Sequence, residues 1–174
     1  MNINIELQIL PIGEIDDTSL RILVARIGQI YSYVELLKPI KMIESAYNGS
    51  RDQYLSDEFL SRVKQLPGEH ILGVTGVDLY TPALNFVFGQ AQLPGKAAVI
   101  SLARLRDDKQ ERYYDRMIKE AVHEIGHTLG LRHCPDVFCV MHFSNSLKET
   151  DIKGDYYCQK CEKEIEKFVK KSRH

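Results

Sequence analysis

His123-Glu124-Ile125-Gly126-His127-Thr128-Leu129-Gly130-Leu131-Arg132-His133 carries most of the chemical information in this chain. His123 and His127 stand one helical turn apart, so their imidazoles project from one face and can converge on a single metal ion. Glu124 is rotated from His123 by about 100° on a helix of 3.6 residues per turn, which lets it flank a metal without ligating it. A carboxylate so placed can take a proton from a zinc-bound water and later deliver it to a leaving amine. Zinc assists by lowering the pKa of that water toward neutrality. The helix must then end, because a third ligand six residues beyond His127 would otherwise project away. Gly130 supplies the stop by adopting positive φ, and His133 can return to complete three nitrogen ligands. A fourth position stays open for water and substrate, as catalytic zinc requires. Unrelated surface or core histidines are the competing reading, and Gly130 and His133 at these spacings count against it.

Immediately downstream lie Cys134, Cys139, Cys158 and Cys161. Two cysteine pairs separated by a loop are what a tetrahedral all-thiolate zinc site needs, and four thiolates leave no vacant position for chemistry. The expected role is structural, tying the segment after His133 to a C-terminal helix in which Ile165, Phe168 and Val169 pack. Two disulfides, suited to an exported protein, and a redox-active Cys158–Cys161 pair are the alternatives. Eight of the chain's ten His and Cys residues therefore fall between His123 and Cys161.

Upstream, Ile118, Ala121, Val122, Ile125 and Leu129 form the face that holds the motif helix against a sheet. The first ten residues alternate, with Ile3, Ile5, Leu7 and Ile9 on one side, as in a half-buried strand. Asp16, Asp17 and Thr18 offer caps to a helix running through Leu20, Leu23, Val24, Ile27, Ile30 and Tyr31. A second strand is expected over Ile40–Tyr47, and a second helix from Ser56 to Pro67-Gly68. Further strands are expected at 71–77, 85–89 and 97–102. The charge-rich run 106–116 reads as a solvated loop and first helical turn. This order predicts a mixed α/β domain with one main sheet.

The chain has 174 residues, 44% of them hydrophobic and 27% charged, with a formal charge of −1. That length suits one domain: 1–130 for the sheet and its helices, 131–174 for the cysteine site and C-terminal helix. The charge balance gives no case for nucleic acid or an anionic membrane as partner. No apolar run approaches the roughly 20 residues of a membrane-spanning helix. The N-terminus lacks a basic region followed by an apolar core, so a cytoplasmic protein is expected; a monomer is expected as well.

Met141 alone reads as a core methionine. In context, His-Glu-x-x-His-x-x-Gly-x-x-His followed by a Met-containing turn resembles the metzincin metalloproteases. With Cys134, Cys139, Cys158 and Cys161 interleaved, the run closely resembles the archaemetzincins. Gly73-Val74-Thr75, Asp78-Leu79 and Asn85-Phe86-Val87-Phe88-Gly89-Gln90-Ala91 extend the likeness over about residues 71–161. The resemblance implies a compact metzincin-type α/β fold with two Zn2+ per chain, one catalytic and one on four cysteines. Met141 would form a hydrophobic floor beneath the catalytic ion, and Asn85–Ala91 would pair with the substrate backbone. The implied activity is hydrolysis of a peptide or protein substrate. A narrow-specificity aminopeptidase and a zinc-containing peptide-binding protein are the rivals. One departure stands out. Astacin-like metzincins carry a tyrosine two residues after the turn methionine, whereas here Phe143 has no hydroxyl. His142, Tyr156 and Tyr157 are the positional candidates for an oxyanion donor.

Overall fold

A computed structural model describes residues 2–173. The first strand, β1 (Ile3–Ile12), opens with the expected alternation, Asn4 and Glu6 exposed between buried Ile3, Ile5 and Leu7, and is buried on both faces from Ile9 onward. Asp16 caps α1 (Asp17–Ile27), its Oδ1 accepting from the Ser19 N–H at 2.8 Å. The helix stops at Gly28. Tyr31, expected on its last turn, instead begins β2 (Tyr31–Leu36), which runs parallel to β1. That pairing also explains why Ile40–Tyr47 is not the expected strand. Tyr31–Leu36 already occupies the outer edge of β1, so Ile40 gains only an isolated bridge to Ile12. Glu44–Ala46 then forms a single 3-10 turn.

The main sheet is completed by β5 (His70–Thr75), β9 (Ala97–Ser101) and β8 (Gly89–Ala91), in the order β2-β1-β5-β9-β8. Its pairings are parallel except for β8 against β9. Helices cover both faces. Leu72, Val74, Ala98 and Ile100 pack with Leu23 and Ile27 of α1 and with Met117, Ala121 and Ile125 of α3 (Gln110–Thr128). Ile71, Ala97 and Val99 pack with Phe59 and Val63 of α2 (Ser56–Lys64). This double coverage is why the central strands read as nearly unbroken apolar runs.

A second, smaller sheet was not expected. It joins β3 (Tyr47–Asn48), β4 (Gln53–Leu55), β6 (Leu79–Thr81) and β7 (Leu84–Val87). The expected strand through 85–89 is split between the two sheets at Phe88. Its side chain is buried in the core and its carbonyl accepts from the Ser101 N–H at 2.8 Å. Beyond α3 come α4 (Leu147–Ile152) and α5 (Gln159–Ser172). Arg116 on α3 grips Asp151 on α4 through two hydrogen bonds of 2.7 Å. Among the described residues, no helix is long and apolar enough to cross a membrane.

Candidate active site and metal centres

Helix α3 ends as the glycine pattern predicts. Gly130 has φ +87°, and its N–H donates to the His127 carbonyl at 2.9 Å. The Leu131 N–H donates to the Gly126 carbonyl at 3.0 Å. Together these bonds make a Schellman cap. The reversal brings His133 back over the helix: its ring centroid lies 5.3 Å from that of His123 and 5.0 Å from that of His127. One nitrogen from each of the three histidines falls within 4.8 Å of the others.

Backbone carbonyls orient two of these rings. His123 Nδ1 lies 2.8 Å from the Val140 carbonyl oxygen, and His127 Nδ1 lies 2.7 Å from that of Leu131. A carbonyl can only accept, so each Nδ1 carries the proton and each Nε2 keeps its lone pair. Those two Nε2 atoms approach to 3.1 Å. Burial pushes the pKa of His123 well down, aided by the Lys153 charge and neighbouring His127. Burial also lowers His127 and His133. Neutral imidazoles with converging lone pairs are a donor set fitted to zinc.

Glu124 is buried in the same cleft, and burial, reinforced by Glu120, raises its carboxyl pKa to about 8. A carboxyl poised near neutrality can both accept and return a proton. The cleft, of about 520 Å³, is walled on one side by Leu84–Ala91. It includes Phe143, but neither Tyr156 nor Tyr157 lines it. The Tyr157 hydroxyl is buried elsewhere, donating to the Val122 carbonyl at 2.8 Å, and His142 Nδ1 is bonded to the Cys134 carbonyl at 2.9 Å. These three candidates for an oxyanion donor are thus not aimed at the cleft.

The four cysteines also converge. All are free thiols, and their sulfurs lie within 4.8 Å of one another. Cys134 and Cys158 are 3.8 Å apart, as are Cys139 and Cys161, well beyond a disulfide bond. Burial raises the Cys139 and Cys161 thiols, and four sulfurs gathered this closely are a donor set fitted to a zinc ion. Ile165 is buried, and Phe168 and Val169 pack against the core, as their spacing suggested.

A tight turn links the two clusters. The His142 N–H donates to the Cys139 carbonyl at 2.9 Å, closing a turn over Cys139-Val140-Met141-His142. Cys139 belongs to the thiol cluster, Val140 supplies the acceptor for His123, and Met141 is fully buried. Glu120, Lys153 and Ser144 line the cleft but escaped sequence reasoning. Glu120 and Lys153 form a buried ion pair at 3.3 Å, and the Ser144 Oγ is buried with no hydrogen-bond partner among the described residues. Glu120 was discoverable, since it lies one helical turn before Glu124. Lys153 and Ser144 carry no local signal.

Comparison with known proteins agrees with this geometry. Residues 12–167 match peptidase family M54. The archaemetzincin of Methanocaldococcus jannaschii is 45% identical over 164 residues, covering 90% of each chain. That of Methanopyrus kandleri is 48% identical over 136 residues, covering 77% of this chain and 78% of the relative. The crystal structure of the Methanopyrus kandleri archaemetzincin superposes with a TM-score of 0.86 at 39% identity, covering 95% of this chain and 96% of that one. The archaemetzincin of Archaeoglobus fulgidus, solved with malonate, gives 0.85 at 40% identity, covering 91% and 99%. Its fold, its converging histidines and these likenesses agree: the chain belongs to the archaemetzincins, the zinc-dependent peptidases of family M54.

Proposed function

We propose that the chain cleaves peptide bonds in the cleft beside His123, His127 and His133, with Glu124 as general base and then general acid. The observation that carries this reading is the convergence of three imidazoles beside the buried carboxyl group of Glu124, which has no ion-pair partner among the described residues. The three histidines would hold a catalytic zinc, and Cys134, Cys139, Cys158 and Cys161 a second, structural one. When bound at the histidines, zinc supplies Lewis acidity, acidifying water and polarising the scissile carbonyl. Val140 and Leu131 hold the His123 and His127 rings in the ligating tautomer. Glu124 takes the proton released by the attacking water and carries it to the departing nitrogen, for which a carboxyl pKa near neutrality is suited.

Substrate backbone would be held by β8. It is the edge of the main sheet and lines the cleft, so an extended peptide can add to it as a further strand. The protein would act as a monomer and bind neither nucleic acid nor membrane.

The test is Glu124→Ala, assayed on a peptide library. Hydrolysis should fall by about 10²–10⁴-fold while bound zinc is retained. Unchanged turnover would remove Glu124 from the mechanism. Fragments from the unmutated protein distinguish internal cleavage from removal of terminal residues.

A further inference from the structure

The edge strand of the main sheet presses directly on the proposed base. Gly89 opens β8, and a Cβ on this residue would fall 2.6 Å from Glu124 Cγ and 2.7 Å from Glu124 Oε1. Non-bonded carbon atoms rest about 3.5–4.0 Å apart, so any side chain here would displace the carboxyl group. Backbone conformation does not ask for glycine at this position. The described glycines with positive φ are Gly13, Gly68 and Gly130. What Gly89 supplies is space.

That space matters because no ion pair fixes the base. Glu124 is 6% exposed and has no ion-pair partner among the described residues, so packing between α3 and β8 places its carboxyl group. Gly89 also faces the substrate side. In the antiparallel ladder of β8 and β9, the Ser101 N–H donates to the Phe88 carbonyl at 2.8 Å and the Gln92 N–H to the Ala97 carbonyl at 2.9 Å. Residues 88, 90 and 92 therefore turn their backbone groups toward β9, and Gly89 and Ala91 turn theirs toward the free edge. One residue thus touches the base through its Cα and offers its N–H and C=O to an added strand.

We propose that Gly89 is the positioning residue for Glu124: its bare Cα sets how closely the general base stands to the substrate backbone paired along β8. The proposal rests on the peptidase reading above. Gly89→Ala would push the carboxyl group off the edge strand or the edge strand off α3. Either movement lengthens the path of a proton between Glu124 and a group bound at the histidines. A Cβ on residue 89 would also stand 2.8 Å from the Val99 carbonyl oxygen. That contact strains the β8–β9 pairing whether or not Glu124 is present, so removing Glu124 separates the two effects.

Acetohydroxamic acid reads the base without requiring turnover. It chelates zinc through its carbonyl and hydroxyl oxygens. The proton released from its O–H passes to a neighbouring base, here Glu124, whose carboxyl group then hydrogen-bonds to the bound anion. Its affinity would be measured calorimetrically for the zinc-loaded unmutated protein, Gly89→Ala, Glu124→Ala and the double variant, with the zinc content of each. Gly89→Ala should bind it about tenfold more weakly while keeping its zinc, the loss expected for one hydrogen bond to a charged group. In the Glu124→Ala background the same substitution should change the affinity by less than about twofold. Equal losses in both backgrounds, or no loss in either, overturn the proposal. A double variant that folds where Gly89→Ala alone does not also supports it, whereas unfolding of both places the requirement at Val99 and overturns it. The expected binding pattern without any peptide cleavage by the unmutated protein would sink the peptidase reading and leave Gly89 as the residue that places Glu124. Failure of the unmutated protein to bind the probe overturns the metal centre, and the proposal with it.

Discussion

Gly126 closes on Met141 so tightly that a Cβ on residue 126 would fall 2.4 Å from Met141 Sδ. It would also stand 3.0 Å from Tyr157 Cε1. The turn that carries Met141 is thereby pressed against α3 between the two helical histidines, where Val140 can hold the His123 ring.

Gly126→Ala should therefore act on both packing and metal. Overpacking of this kind costs about 1–3 kcal/mol, readable as a lowered urea midpoint, and displacement of Val140 should weaken zinc binding in a chelator competition. Met141→Leu, which nearly conserves volume, should cost less than about 1.5 kcal/mol. Equal stability of Gly126→Ala and the unmutated protein would contradict the close contact.

Gly130 serves a different need. With φ +87°, it occupies the left-handed region, and a Cβ there would lie 3.2 Å from Phe168 Cδ2. Gly130→Ala should cost about 1–2 kcal/mol and move His133, lowering metal affinity. Gly130→Asn should be milder, since asparagine tolerates this conformation. Zinc affinities that rank Ala above Asn would argue against the backbone explanation.

Cys158→Ser should remove the second metal and loosen the segment joining Cys134 to His133. Elemental analysis should fall by one zinc per chain, and hydrogen exchange should rise along α5. A variant that keeps its metal count would show that the four sulfurs do not form one site.

Acid sensitivity should report the clamp between α3 and α4. Hydrogen bonds from Arg116 hold Asp151 below the ordinary carboxylate value of 3.8. The folded state therefore keeps Asp151 charged at pH values where the unfolded chain has protonated it. Its contribution is complete above that ordinary value and is lost as pH falls through the lower folded value. Arg116→Met should be less stable near neutrality and lose less on acidification from about pH 5 to about pH 3. Parallel urea midpoints for the two proteins across that range would contradict the linkage.

Much of this architecture was readable from local pattern. The alternation of Ile3, Ile5, Leu7 and Ile9, the cap at Asp16, the apolar face of α3 and the stop at Gly130 are local effects, and each appears where its residues indicate. The errors arose where pairing partners decide. Ile40–Tyr47 is as apolar as Tyr31–Leu36, but only one segment can occupy the outer edge of β1. Likewise 85–89 reads as one strand until Phe88 inserts into the core and carries the chain from one sheet to the other. The metal candidates were legible because ligand spacing along a helix is a local property. The Glu120–Lys153 pair was not, because it joins residues on different elements.

The most direct measurement is zinc content per chain, by elemental analysis, for the unmutated protein and for His127→Ala. Two ions in the first, and one with loss of hydrolysis in the second, are expected if three imidazoles and four thiolates form separate sites. A single ion in the unmutated protein, or an unchanged count after loss of His127, would contradict that division.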